Sequence, residues 1–288
     1  MEMKNRIPDI VENDLLRRLP RITRAREFHL YAENGRRFVD LWQLGGKAVL
    51  GHKPPRAVSE MKNAAERGLF SPFPHFAENR FIKALAKLFM IQDNHKYNFY
   101  IYKNESSLEK ALANADLHIN DVCIWRPFSQ KEYYSTLYMP ILPWALSPVV
   151  LAIRMPHDNP ISKEFERSYM ISPDDIIPPV ILTPATISIY DLIAAGENGG
   201  RPVFSKLEKM LASTGNWQKN GIYLTCSQEI RNDYVIVWQK FLEQGFLLPP
   251  SPEEPLILPG SLSPGEEAKL AGLFNQPRMS TMDGADPE

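Results

Sequence analysis

The chain has 288 residues, 44% hydrophobic and 23% charged, and its 33 Lys+Arg against 34 Asp+Glu give a formal net charge of -1. That length can bury a large core in one large domain or two smaller ones, and the charge balance supplies no global field for nucleic acid or an anionic membrane. Cys123 and Cys226, far apart in sequence, fit a reducing compartment better than a disulfide framework, and no apolar run approaches the roughly 18–20 residues that span a bilayer.

From the N-terminus, MEMKNRIPDIVENDLLRRLP mixes acids and bases without the apolar stretch of a signal peptide, so a cytoplasmic protein is expected. Ile10, Leu15, Leu16 and Leu19 suggest a first helix ended at Pro20. Five arginines follow in RRLPRITRARE, and they read as a solvated face with surface ion pairs. Asn34-Gly35, between the alternating EFHLYA and RRFVDLW, predicts a type I′ hairpin. Gly45-Gly46 and Gly51-His52 bracket a short apolar run. Pro54-Pro55 then opens a helix carrying Val58, Met61, Ala65 and Gly68 at helical spacing.

A second amphipathic helix is predicted over 78–88, with Phe81, Leu85 and Leu88 on one face, and YNFYIY at 97–102 reads as a strand. Directly after it, Ser106-x-x-Glu109 has capping-box form and predicts a helix start. Such a start aims backbone N–H groups and a positive dipole end at any phosphate placed there, although a helix cap without a ligand satisfies the same pattern. Residues 123–125, 149–153 and 180–182 read as buried strands, and the prolines of MPILPWALSP exclude a helix interior there. Trp125, Tyr133, Tyr134 and Trp144 suit either the core or stacking on a planar cofactor.

Further on, TPATISIYDLIAAGENGG at 183–200 reads as a helix ended by Gly196 and Gly199-Gly200, followed by a helix through Phe204, Leu207 and Leu211, the strand IYLTC, and a helix over 229–244 stopped at Gly245. Ser263-x-x-Glu266, with Pro264 at the first helical position, predicts a last helix. Residues 276–288 are polar and read as a disordered tail.

In this order the features resemble the class III aminotransferases, pyridoxal-phosphate (PLP) enzymes of fold type I that include glutamate-1-semialdehyde aminomutase. Asn34, Gly35, Phe38 and Asp40 match that family's NG-x-x-x-x-D hairpin. Leu50, Gly51, His52 and Pro55 match its LGH-x-x-P helix entry, and Gly245, Pro249, Pro250, Ser251, Ser263 and Glu266 match its C-terminal strand and capped helix. The resemblance implies an α/β fold with a reduced large domain (76–186) and a small α+β domain built from residues 1–75 and 187–275. It also implies a homodimer whose interface includes the N-terminal segment. For PLP it places the phosphate at the turn after the 97–102 strand, on Asn104, Ser106 and Ser107, with Thr183 as a fourth cofactor residue; the family's small glycine at that turn is missing.

A PLP transaminase needs a lysine for the internal Schiff base and an acid that keeps the pyridine nitrogen protonated. Neither family signature is present. In the middle segment Lys131 and Lys163 precede no glycine-rich turn, and Asp158 comes too late after its strand. His29, His52, His75, His95, His118 and His157 are scattered without zinc spacing, and there is no P-loop, GxSxG elbow or dinucleotide fingerprint. His52 and His75 flank the helix opened by Pro54-Pro55 as structural or cleft-facing histidines, and the acid pairs Asp174-Asp175 and Glu253-Glu254 read as loop charge. The expectation is a shortened, degenerate relative without transaminase chemistry and without a metal, acting as a dimeric binding or partner protein for a small amine or a phosphate-bearing ligand. The alternative is a working PLP enzyme using Lys103.

Overall fold

The structure, a computed structural model, describes residues 14–93, 95–130, 135–155, 175–197 and 203–275. In chain order its elements are β1 (Ile22–Arg26), β2 (His29–Ala32), β3 (Arg37–Asp40), α1 (Pro55–Glu66), α2 (Phe76–Asp93), β4 (Tyr97–Tyr102) and α3 (Glu105–Ala113). Then come β5 (Cys123–Trp125), β6 (Leu137–Pro140), β7 (Val149–Arg154), α4 (Pro179–Glu197), α5 (Ser205–Thr214), β8 (Trp217–Asn220) and β9 (Tyr223–Cys226). The last are α6 (Gln228–Asn232), α7 (Tyr234–Glu243), β10 (Phe246–Leu247), β11 (Leu256–Ile257) and α8 (Pro264–Phe274). Ile10, Gly199-Gly200 and the 276–288 tail lie outside the described residues. Residues 14–17 are helical, as the leucine spacing predicts.

The two ends of the chain share one sheet, in the order β1-β2-β3-β10. Its β3–β10 pairing is parallel, with Val39 opposite Phe246 and Asp40 opposite Leu247. Strand β10 is short because Pro249 and Pro250 carry no N–H for a ladder. The free carbonyls beside them are met from α7, where Tyr234 Oη donates to Pro249 O (2.7 Å) and Trp238 Nε1 donates to Leu248 O (3.1 Å). The helix predicted over 229–244 divides into α6 and α7 at Asp233, whose φ of -107° and ψ of 21° leave helical geometry.

The β2–β3 hairpin differs from the expected type I′ turn. Only Gly35 of the pair has positive φ (79°), and its N–H donates to Ala32 O (3.1 Å) while Ala32 N donates to Arg36 O (2.9 Å). This is a three-residue loop closed by a left-handed glycine. Asn34 acts through its side chain, Oδ1 accepting the N–H of Arg36 at 3.2 Å. The arginines around β1 behave as surface groups: Arg18 pairs with Asp14, Arg21 with Glu33 and Arg26 with Glu27, and Arg24 lies over the Tyr31 ring.

A second sheet, ordered β4-β7-β6-β5, is covered on both faces. Along β7, Val150 and Ala152 enter one apolar cluster with α1, α2 and α4, whereas Leu151 and Ile153 enter another with α3. That period-2 division explains why the strand reads as a continuous apolar run. Trp125 packs beside Phe89, with ring centroids 5.5 Å apart, so it is a core residue.

Residues 180–182, expected as a strand, instead form the first turn of α4. Within this 19-residue apolar helix the hydroxyls turn back on its own backbone: Thr183, Thr186 and Ser188 donate to the carbonyls of Pro179, Leu182 and Pro184, at 2.8, 2.7 and 2.9 Å. Pro184 removes one internal N–H, and the helix accommodates it. By length and composition α4 could cross a membrane, which the sequence reading did not anticipate; here half of its apolar window is buried, and it packs against α1 and α2.

A third sheet, β11-β9-β8, joins the two ends to the middle of the chain. Tyr223 Oη donates to Pro127 O (2.8 Å), and Asn220 Oδ1 accepts the N–H of Gln130 (2.8 Å). At the hairpin tip Gly221 (φ +61°) approaches Phe128 so closely that an added Cβ would lie 2.0 Å from the Phe128 carbonyl oxygen. Gly221→Ala is therefore expected to lower stability by more than about 2 kcal/mol, whereas Gly35→Ala, with open space around it, should cost only about 1 kcal/mol of backbone strain. Urea unfolding of both variants checks this, and equal losses would refute the steric account.

Helix α8 opens with the predicted capping box, Ser263 Oγ accepting the Glu266 N–H at 3.3 Å and Glu266 Oε2 accepting the Ser263 N–H at 2.9 Å. Glu266 also accepts from Arg37 (2.7 Å) and contacts His29 Nε2 (2.9 Å), which fastens α8 to the N-terminal sheet. Burial pushes its carboxyl up, but the bonds from Ser263 and His29 outweigh that and hold it below the usual carboxylate range. The stabilisation is then complete above about pH 4.3, the ordinary glutamate value, and is lost as pH falls through the lowered native value. Glu266→Gln should lower stability by about 1–3 kcal/mol at neutral pH and flatten the acid limb of the stability-versus-pH curve. Denaturant titrations across acid pH measure both, and an unchanged acid limb would count against this role.

Candidate functional site

The turn between β4 and α3 is where a phosphate is expected, and it is built differently from the sequence reading. The N-cap is Asn104, not Ser106. Its extended backbone (φ -159°, ψ 173°) lets Oδ1 accept the Ser107 N–H at 2.9 Å. One of the N–H groups that a phosphate would use is thus already taken. Two carboxylates also crowd the helix start. Glu105 occupies the first turn, and Asp175 Oδ2 accepts the Lys103 N–H at 2.9 Å while its own N–H donates to Ile101 O (2.8 Å). Asp175, read as loop charge, is thereby a tie across the end of β4, and both acids favour the helix dipole at the expense of an added anion. Ser106 is exposed and Ser107 half-buried.

Thr183 lies elsewhere. It sits in the first turns of α4 and lines a groove of about 220 Å³ with Asn63, Arg67, His75 and Arg80; Asn104, Ser106 and Ser107 are not part of that lining. The four residues that the resemblance assigns to one cofactor are therefore not gathered into one site. His75 does face a cleft, and it is hydrogen-bonded as well: Nδ1 accepts the Ala77 N–H at 3.1 Å.

His52 combines both of its readings too. Its Nε2 lies 2.7 Å from Asp40 Oδ2, and its ring lines a second cavity, of about 160 Å³, together with Lys47, Met61 and Trp144. Asp40 is almost fully buried, and its Oδ1 accepts from Trp42 N (2.8 Å) and Gln43 N (2.9 Å). The turn it holds, Gln43-Leu44-Gly45-Gly46, has four consecutive positive φ angles (49°, 51°, 65° and 107°). Nothing in the sequence announces left-handed geometry at Gln43 and Leu44.

Among the described residues no lysine is buried, Lys103 is exposed, and half-buried Lys47 lines a mostly apolar cavity apart from the β4–α3 turn. Lys131, Lys163, Tyr133, Tyr134, Asp158, His157 and Asp174 lie outside the described residues. No group of three or more His, Cys, Asp or Glu suited to a metal occurs among the described residues.

No family model matches this sequence. An uncharacterized protein of Treponema pallidum (strain Nichols) is 28% identical over 149 residues, covering 49% of this chain and 46% of that protein. An uncharacterized protein of Borreliella burgdorferi is 35% identical over 98 residues, 34% of this chain and 35% of its own length. The chain thus spans less than half the length of these curated relatives. Among solved structures, an omega-transaminase from Sphaerobacter thermophilus superposes with a TM-score of 0.60 at 10% identity, over 93% of this chain and 96% of the transaminase. N-acetylornithine aminotransferase from Stenotrophomonas maltophilia gives 0.56 at 12%, over 90% and 95%.

The fold is that of the fold type I PLP-dependent aminotransferases. One solved protein of this fold is described with PLP, and whether such a group fits here is decided by the residues present. A buried lysine, a pyridine-facing acid and an open phosphate turn would have to share one cavity. Among the described residues they do not, and the turn that stands in the phosphate position is filled by its own cap and flanked by acids.

If Asn104 acts purely as a helix cap, Asn104→Ala should lower stability by about 1 kcal/mol, and Asn104→Asp should restore it. Thermal unfolding of the two variants reads this directly. A neutral Asn104→Ala would return the turn to candidacy as a ligand site.

Proposed function

We propose that this chain is a fold type I protein without transaminase chemistry, which serves as a homodimeric binding protein for a small ligand. The observation that carries the reading is the β4–α3 turn. Asn104 holds the Ser107 N–H, and Glu105 and Asp175 supply the negative charge that a cofactor phosphate would bring. The exposure of Lys103 supports it further, because a Schiff-base lysine works from a desolvated site where its pKa is depressed. Dimerisation and shortening of the large domain follow from the family resemblance of the two chain ends, and exposed Phe70 and Phe73 give the segment between α1 and α2 an apolar surface suited to burial.

Purified protein incubated with PLP and then reduced with borohydride is expected to show only scattered, substoichiometric lysine labelling by peptide mass spectrometry, and no absorbance shift when an amine donor is added. In sedimentation it should run as a dimer. One lysine labelled to completion, with a donor-dependent spectral change, would establish the transaminase alternative.

A further inference from the structure

The groove between α1, α2 and α4 has a lining whose donors all lie on one side. Arg67 closes the C-terminus of α1 and Arg80 projects from α2; among the described residues neither makes an ion pair, whereas Arg56 at the other end of α1 is paired with Asp191. Arg80 lies over the Phe76 ring, 4.5 Å from its centroid. Stacking of that kind fixes the guanidinium plane and leaves its N–H edges for a ligand. Because His75 Nδ1 accepts the Ala77 N–H, the proton of a neutral His75 ring sits on Nε2, which makes that atom a third donor.

The opposite wall is different in kind. The hydroxyl protons of Thr183 and Thr186 are committed to the carbonyls of Pro179 and Leu182, so α4 offers the groove only acceptor lone pairs beside apolar Ile187. Glu60 is the one carboxylate in the lining, against two guanidiniums. The net charge is positive, and the free donors are of the fork type that matches a carboxylate or phosphate. At about 220 Å³ the groove is smaller than the roughly 300–1,000 Å³ of sites for drug-sized ligands, a size that suits a small anion.

We propose that this groove binds a small oxyanion, a phosphate monoester or a short carboxylate, between Arg67, Arg80 and His75. The assignment rests on the binding-protein reading above and gives its ligand a chemical class. It moves the anion site away from the β4–α3 turn, where the resemblance puts it, to a place where the sequence shows no motif: Arg67 and Arg80 are far enough apart in the chain to read as ordinary surface charge.

Calorimetric titration of the full-length protein at low salt, with inorganic phosphate in one series and acetate in another, tests it. Saturable binding of either probe supports the proposal, and the better probe identifies the source of the oxyanion. Arg67→Ala and Arg80→Ala should each weaken binding about tenfold or more, with unchanged circular dichroism and melting. Lys47→Ala, in the other cavity, should bind as the parent does. Retained affinity in both arginine variants, or no saturable binding of either probe, would overturn it. The outcome is separable from the functional reading, since a completed pyridoxyl adduct removes that reading, while its absence together with absent anion binding removes the groove alone.

Discussion

The carboxylate of Asp40 is the joint on which the two ends of the chain and the helical layer turn. It ends β3 beside Leu247 of β10, takes the N–H groups of Trp42 and Gln43 on one oxygen, and holds His52 on the other. Each hydrogen bond to a charged group contributes about 1.5–3 kcal/mol. Two non-glycine residues in left-handed geometry, Gln43 and Leu44, oppose it by roughly 1–3 kcal/mol each. The bonds to Asp40 outweigh that cost, and further bonds from elsewhere add to them: Gln43 Nε2 donates to Ile257 O, Trp42 Nε1 to Glu254, and Arg126 to Gly45 O. The turn is thus clamped by residues of both halves, and it sets where His52 and the start of α1 lie.

From that joint the helical layer follows. Pro55 starts α1 without forfeiting a hydrogen bond, and Arg56 ties it to Asp191 of α4. Helix α4 buries its apolar length against α1 and α2 and carries Pro184 within it. The same packing that covers one face of the central sheet leaves the groove lined by Arg67, His75, Arg80 and Thr183. Scaffold and groove are therefore one construction, whereas the β4–α3 turn on the other side has been closed by its own side chains.

This division suits a protein that keeps the transaminase fold at 10–12% identity. Burial patterns, the Asp40 joint and the capped last helix are demands of the backbone, and many sequences meet them. Cofactor chemistry demands particular groups at particular atoms, and at the β4–α3 turn the N–H groups of Lys103 and Ser107 are already bonded to Asp175 and Asn104.

The sequence by itself determined the elements whose signals are local. Aromatic and β-branched residues marked YNFYIY as a strand, Ser263 and Glu266 gave the last helix its start, and Pro55 marked the first turn of α1. It determined the fold type through residues at both ends. Tertiary structure alone decided what depends on partners distant in the chain. Val180–Leu182 is helical because α4 as a whole finds α1 and α2 to pack against, and Asn104 rather than Ser106 caps α3 because Asp175 pins the preceding residue. It also decided where free donors meet. Arg67, His75, Arg80 and Thr183 carry no common spacing, and only the packing of three helices brings them to one groove, since side-chain convergence is fixed by interhelical contact rather than by any period along the chain.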